Sequence, residues 1–400
     1  MPRNIWLLVI AMAISTTAAS FIWPLNTIYM HQELGKSLTF AGMILLLNQG
    51  AAIVGNLIGG NLFDRIGGYK TIITGGAFTL VSALTLTQFH SLVPYSIMLV
   101  TMGFGSGVLV PAVFAMAASV WPEGGRRTFN SIYVAQNFGV ALGAALAGFI
   151  ADFSFSYIFI ANASLFAIFY LIVIFNFKKM EADRDPQSYT TVLSQGLQIK
   201  NKSSFIALMI LSSGFLVAWV AYSQWQTTIA SHTQDIGISL NQYSLIWTVN
   251  GLLIILGQPL IKLVTKLITS TKTQIVVGNT IFIFSFAYLL IAESFAHFVT
   301  GMIILTIGEM LVWPAVPTIA SELAPKGRQG FYQGFINSTG TAGRMLGPVY
   351  GGLIADHFEI QILFFSLIFL LLIPYISIWI LKRFEKKVAQ SNEEVNEATQ

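Results

Sequence analysis

Residues 109–126 read LVPAVFAMAASVWPEGGR, and residues 312–328 read VWPAVPTIASELAPKGR. With an offset of 203, Pro111-Ala112-Val113 falls on Pro314-Ala315-Val316, Pro122 on Pro325 and Gly124 on Gly327. The next stretch repeats with an offset of 204: Gly139, Gly143, Gly148 and Asp152 fall on Gly343, Gly347, Gly352 and Asp356, and both copies end Ile-Ala-Asp. A repeat of about 200 residues is far longer than a solenoid unit. The chain therefore reads as two related halves, a duplication.

What each half is made of follows from composition. Charged residues are 10% of the 400, and hydrophobic residues 55%, with 31 Phe and a mean hydropathy of +0.71. Ordinary soluble proteins carry about 25% charged residues. A soluble globular chain and a disordered one are both excluded, because too little polar surface is left to face water. There is no Cys, so no disulfide framework, Cys-based zinc site or thiol nucleophile can exist.

Twelve apolar stretches lie near 5–30, 40–63, 70–90, 93–118, 129–151, 155–177, 204–229, 242–261, 273–292, 297–320, 331–355 and 359–381. Most are long enough for a spanning helix, which needs about 20 residues. They lack the alternation of an outer-membrane barrel. The first is too long for a signal peptide, has no clear A-x-A site and leads into another span. The expected fold class is an all-α membrane protein with twelve transmembrane helices in two pseudo-symmetric six-helix bundles.

Basic residues give the orientation. With the N-terminus inside, 19 of the 21 Lys and Arg fall in inner loops and tails, Lys36 lies outside and Arg344 within a span. Such asymmetry predicts cytoplasmic N- and C-termini. It also accounts for the net charge of +4, so nucleic acid is not an expected partner. The expected parts are an N-terminal bundle at 1–177, a cytoplasmic linker at 178–203, a C-terminal bundle at 204–387 and a disordered cytoplasmic tail at 388–400. Two parallel halves can rock about a site near the bilayer midplane.

Spans two and three are joined by Gly60-Asn-Leu-Phe-Asp64-Arg65-Ile-Gly67-Gly-Tyr-Lys70. A carboxylate at a helix end can hold neighbouring helix ends by charge-assisted bonds, and glycine permits the tight turn. The second-half counterpart, Gly257-Gln-Pro-Leu-Ile-Lys262, keeps the glycine and a base but lacks the acid. In span eleven, Gly343-Arg-Met-Leu-Gly347-Pro348-Val-Tyr-Gly351-Gly352 spaces small residues four apart, and Gly139, Gly143 and Gly148 do so in span five. Close helix packing and a gating role are both open for these rows.

The first of these motifs resembles G-x-L-x-D-R-x-G-R-K, the signature of the major facilitator superfamily. The span-eleven row is similar to the antiporter motif that the superfamily normally carries in span five. Twelve spans, central linker and duplication complete a resemblance that covers the whole chain. Glu309 after Gly308 and before Pro314 looks similar to bacterial multidrug/proton antiporters. The resemblance implies a secondary transporter of the bacterial inner membrane, acting by alternating access as a monomer, with small-molecule substrate, protons and lipid bilayer as partners. Gly60, Asp64, Arg65, Gly67 and Lys70, with Gly343, Gly347, Pro348, Gly351 and Gly352, are its gating candidates. Gly68 and Tyr69 replace the usual basic pair, which leaves the partner of Asp64 open. Span four lacks the arginine of some drug antiporters, and Ala117, Ala118 and Ile132 stand where related ones carry acids.

Glu309 and Arg344 are the ionisable residues expected deep in spans, where a charge costs about 3 kcal/mol. Both fall near mid-depth, so they are candidates either for a fixed pair or for proton coupling in which Glu309 exchanges a proton. A permanent pair could be replaced by apolar packing at little cost, which favours coupling. Candidate substrate-binding residues are Trp23, Asn26, Gln136, Asn137, Tyr222, Trp225, Gln226, Asn250, Glu309, Trp313 and Asn337. Glu309 and Trp313 are four apart, as are Tyr222 and Gln226, and each pair is expected to share a helix face. A carboxylate beside aromatic faces suits a lipophilic cation. Asp152, Asp356 and the five histidines fall at outer ends, without a metal-binding pattern. No P-loop, G-x-S-x-G or H-E-x-x-H is present. The chain is thus expected to be no enzyme and to need no metal or cofactor. Export of hydrophobic or cationic molecules against protons is expected. A carrier for a metabolite such as a sugar or organic acid, and a non-transporting membrane sensor on the same fold, are the alternatives.

Overall fold

The structure is a computed structural model. It describes residues 1–22, 26, 29–151, 155–182 and 202–398, without the side chains of 32, 38, 39, 148, 149, 151, 155, 181, 182, 240, 241 and 387–398. Trp23, Asp152 and most of the 178–203 linker lie outside the described residues.

In hydrocarbon every backbone N–H and C=O needs a partner within the chain, which leaves helices or closed barrels. Among the described residues there is helix and no strand. The main helices are α1 (Arg3–Ile22), α2 (Leu38–Ile66), α3 (Gly68–Gln88), α4 (Leu92–Val120), α5 (Arg126–Ala151) and α6 (Phe155–Ile172), followed by α7 (Lys202–Tyr222), α8 (Leu240–Leu256), α9 (Gln258–Leu267), α10 (Thr271–Leu289), α11 (Phe295–Leu323), α12 (Gln329–Ala355), α13 (Ile360–Leu370) and α14 (Ile373–Ala398). Polar residues set several starts. Ser37 caps α2, Ser270 caps α10, and Ser239 with Gln242 forms a capping box on α8, each satisfying N–H groups that the first turn leaves over. Gly67, at φ +92°, makes the turn between α2 and α3, a backbone conformation open to glycine.

Among the described residues, eight helical stretches are long and apolar enough to cross a membrane, and the bent pair α8–α9 would be a ninth. α5, α10 and α12 occupy the three further apolar intervals. Lys272, Gln274 and Asn279 make the first half of α10 its more polar part. Helices thus occupy all twelve apolar intervals, while length and hydropathy among the described residues qualify eight or nine of them as crossings.

The chain divides into two compact units: Met1–Gly196 with Lys326–Thr341, and Leu197–Pro325 with Ala342–Gln400. In the first, Ile5, Leu8, Met12, Phe63, Ile72, Leu109, Phe129 and Phe169 form a buried apolar core. α5 lies on α1 through its glycines: a methyl group at Gly139 would stand 2.6 Å from the Ala13 carbonyl oxygen, and one at Gly143 2.5 Å from that of Thr17. In the second unit α12 lies on α7 in the same manner, with a methyl at Gly343 only 2.6 Å from the Leu216 carbonyl oxygen. α10 and α11 meet through Gly278 and Gly308, each facing the other's carbonyl at 2.6–2.8 Å if a methyl were added. The repeat is visible in the helices themselves. α4 and α11 have 29 residues each, and their two ends lie 203 residues apart.

Candidate functional site

Two buried carboxylates organise the polar chemistry, one in each unit. Asp64 sits in the last turn of α2 with 5% of its surface exposed. Its Oδ1 accepts the backbone N–H of Gly330 at 2.7 Å, and its Oδ2 that of Phe331 at 2.8 Å. Both donors are in the first turn of α12, where unpaired N–H groups and the helix dipole favour an anion. The partner of Asp64 left open by the sequence therefore includes backbone, which no side-chain motif could disclose. The approach depends on small residues, because a side chain at Gly60 or Gly330 would collide with the other's carbonyl. Arg65 and Lys70 are exposed beside this junction, as basic residues at headgroup level would be.

The second carboxylate is Glu309 on α11, with 2% of its surface exposed. Its Oε2 accepts the Tyr222 hydroxyl at 3.1 Å and the Asn250 amide at 2.9 Å. Asn250 gives its other amide hydrogen to Thr306 Oγ1 at 2.9 Å, and Thr306 donates to the Met302 carbonyl at 2.7 Å. Two helices, α7 and α8, thus bring side-chain donors to an acid carried by a third, α11.

Beside it stands an aromatic cluster. The rings of Trp219 and Trp313 stack 4.4 Å apart with an interplanar angle of 2°. Tyr222 meets Trp313 edge-on at 5.5 Å and Trp219 at 5.4 Å, and Phe215 and Phe282 pack on Trp313 at 5.7 Å and 5.6 Å. The Arg344 guanidinium lies over the Trp219 ring, 4.5 Å from its centre, within cation–π range. The indole N–H groups of Trp219, Trp225 and Trp313 are buried and find no acceptor among the described residues.

Glu309, Tyr222, Asn250, Trp313 and Arg344 therefore belong to one assembly. The other sequence candidates do not all join it. Tyr222 and Gln226 do not share a face: the α-helix gives way to a tighter 3-10 turn at Ser223–Gln226, which buries Trp225 and leaves Gln226 exposed. The Trp225 carbonyl accepts the Tyr243 hydroxyl. Asn26 accepts the Tyr95 hydroxyl at 2.6 Å in an aromatic cluster of the first unit with Tyr29 and Phe159. Asn137 and Asn337 are half-buried and donate to carbonyls of their own helices, Tyr133 and Gln333, at 2.9 Å. Gln136 is half-buried on α5. Trp23 lies outside the described residues.

The small-residue row of α12 has a defined occupant. A side chain at Gly347 would collide with Ser223, and one at Gly351 with Gln224 and Thr228, whereas among the described residues nothing lies within 4 Å of a methyl at Gly352. Buried Gln224 donates to the carbonyls of Val220 at 2.9 Å and Gly347 at 2.8 Å, and accepts the Thr228 hydroxyl at 2.9 Å. Gly347 and Gly351 thus house the break in α7, and half-buried Pro348 stands between them. Trp219, Thr306 and Gln224 escaped the sequence reading. Trp219 and Thr306 each stand three residues before a singled-out one, Tyr222 and Glu309, the helical spacing that could have found them. Among the described residues no three His, Cys, Asp or Glu gather as metal ligands.

A family model described as Major Facilitator Superfamily matches residues 8–234 and again 211–399. The chain is 56% identical over 397 residues, 99% of either chain, to the uncharacterized MFS-type transporter YttB of Bacillus subtilis. It is 26% identical to a Na(+), Li(+), K(+)/H(+) antiporter of Planococcus maritimus, covering 83% of this chain and 85% of that one. It is 24% identical to the quinolone resistance protein NorA of Staphylococcus aureus, covering 90% and 92%.

Proposed function

This chain belongs to the Major Facilitator Superfamily of membrane transporters, and on that premise we propose that it exports hydrophobic or cationic small molecules in exchange for protons. Its two halves, 1–177 and 204–387, act as six-helix bundles of twelve crossings in all, with both termini cytoplasmic, and expose a shared site to each side in turn.

The observation that carries this reading is the Glu309 assembly. A buried carboxylate is costly to keep charged, so its natural alternative state is protonated. The donors around it, a phenol and an amide, sit on side chains that can turn, so they can follow a proton on and off. The adjoining Trp219–Trp313 stack offers aromatic faces to an apolar cation, and Arg344 already places a tethered cation on one of them. Proton and cationic substrate would compete for Glu309, which links their movements. The likeness to a quinolone resistance protein supports this substrate class.

Asp64 supplies the conformational element. Its two bonds to the first turn of α12 form only when α2 and α12 are close, so they favour one state of the cycle. Opening requires their loss.

Exchange of an alkali cation for protons is the second reading. The oxygens of Glu309, Thr306 and Tyr222 stand together, and one relative bears that activity in its name. The deciding experiment is efflux from proteoliposomes under an imposed proton gradient. A labelled lipophilic cation should leave and lithium should not. Lithium exchange would establish the second reading, and binding without turnover would establish a sensor.

A further inference from the structure

α8 has 17 residues, about 26 Å at 1.5 Å per residue, close to the roughly 30 Å of bilayer hydrocarbon. It thus arrives at the membrane surface where α9 begins, and there the chain bends by 58°. Gly257-Gln258-Pro259 forms the joint. Pro259 cannot donate to the preceding turn, and Gln258 turns its side-chain amide back onto the Ile254 carbonyl at 2.5 Å.

α9 presents three different faces. Ile261 is buried, 2% exposed. Leu260, Leu263 and Leu267, at helical spacing, are 48%, 56% and 78% exposed. Lys262 and Lys266, one turn apart, are exposed on a third face. No acidic residue occurs from Leu256 to Lys272. A short helix with one face to the protein, one of bare leucine and one of lysine fits the boundary between acyl chains and headgroups. The depth is marked independently on α14. Trp379 is 54% exposed with the Arg383 guanidinium 3.9 Å over its ring, an interfacial pairing. Glu385, two residues on, is paired with Lys272 at the start of α10, just beyond α9.

We propose that α9 lies in the plane of the membrane interface and that Lys262 and Lys266 form a binding site for the headgroups of anionic phospholipid. The leucine face sets the depth and the lysines select the charge. The site does not depend on what the protein transports.

The test uses the full chain, which has no cysteine of its own, in bilayers of phosphatidylcholine with and without phosphatidylglycerol. Spin labels at Leu263→Cys and Lys262→Cys report collision with oxygen, which concentrates in lipid, and with an aqueous nickel chelate. The label at 263 should meet oxygen and the one at 262 nickel. Phosphatidylglycerol should move 263 deeper. Adding Lys262→Gln and Lys266→Gln to the 263-labelled chain should abolish that lipid dependence, while arginine at both positions should keep it. Two charges near an anionic surface correspond to roughly 30-fold in apparent lipid affinity. Equal access of nickel to both positions, or no response to phosphatidylglycerol in a chain with unchanged melting temperature, would overturn the proposal.

Discussion

Asp64 and Glu309 are both buried acids, yet they are held in opposite ways. Asp64 gives each oxygen to a backbone N–H of one helix terminus. Glu309 takes Tyr222 and Asn250 on the same oxygen. Backbone donors cannot rotate away without moving a helix, so the first arrangement is a latch whose opening is a conformational change. Side-chain donors can turn in place, so the second can change protonation while the helices stay put. On the function proposed above, this difference fits gating at Asp64 and coupling at Glu309.

The largest expected effect comes from breaking the latch by volume. Gly60→Leu drives a side chain into the Gly330 carbonyl, with backbone on both sides and nothing flexible to yield. Transport should be lost and the folded protein should be scarce, read as monodisperse yield and uptake. Asp64→Ala removes the charge but leaves the packing. Losing hydrogen bonds to a charged group costs about 2 kcal/mol or more, a shift of roughly 30-fold toward the open latch. Distance measurements between spin labels on α2 and the first turn of α12 should show it, while a label pair on α7 and α11 stays unchanged. Tyr222→Phe sharpens the other side of the comparison. It removes one donor from Glu309, worth about 1–3 kcal/mol, and should displace the pH dependence of transport with little change in protein yield. An unmoved pH profile would mean that Tyr222 does not sense the protonation of Glu309. The smallest effect is expected at Gly352→Ala, where nothing among the described residues lies within 4 Å. Melting should change by less than about 0.5 kcal/mol equivalent, whereas Gly347→Ala should fail against Ser223.

Much of this was legible in residue patterns, and the rest was not for identifiable reasons. The copied Pro111 and Pro314 fall inside α4 and α11, whose bounds keep the same offset, because helices built on one apolar and proline pattern begin and end alike. Glu309 and Trp313 announced themselves by helical spacing. Gln226 misled, because the spacing argument assumes an unbroken α-helix and the turn at Ser223–Gln226 is tighter. The donors to Asp64 were invisible, since a backbone N–H carries no residue identity. The loss of the acid in Gly257–Lys262 was plain in the sequence, but the 58° bend that accompanies it required the structure.

The most direct measurement of the central claim is proton movement driven by a lipophilic cation in proteoliposomes with a pH dye inside, comparing wild type with Glu309→Gln. Wild type should exchange the two. The variant should still pass the cation down its own gradient but give no proton signal. Proton exchange at the wild-type rate in the glutamine variant would contradict the account.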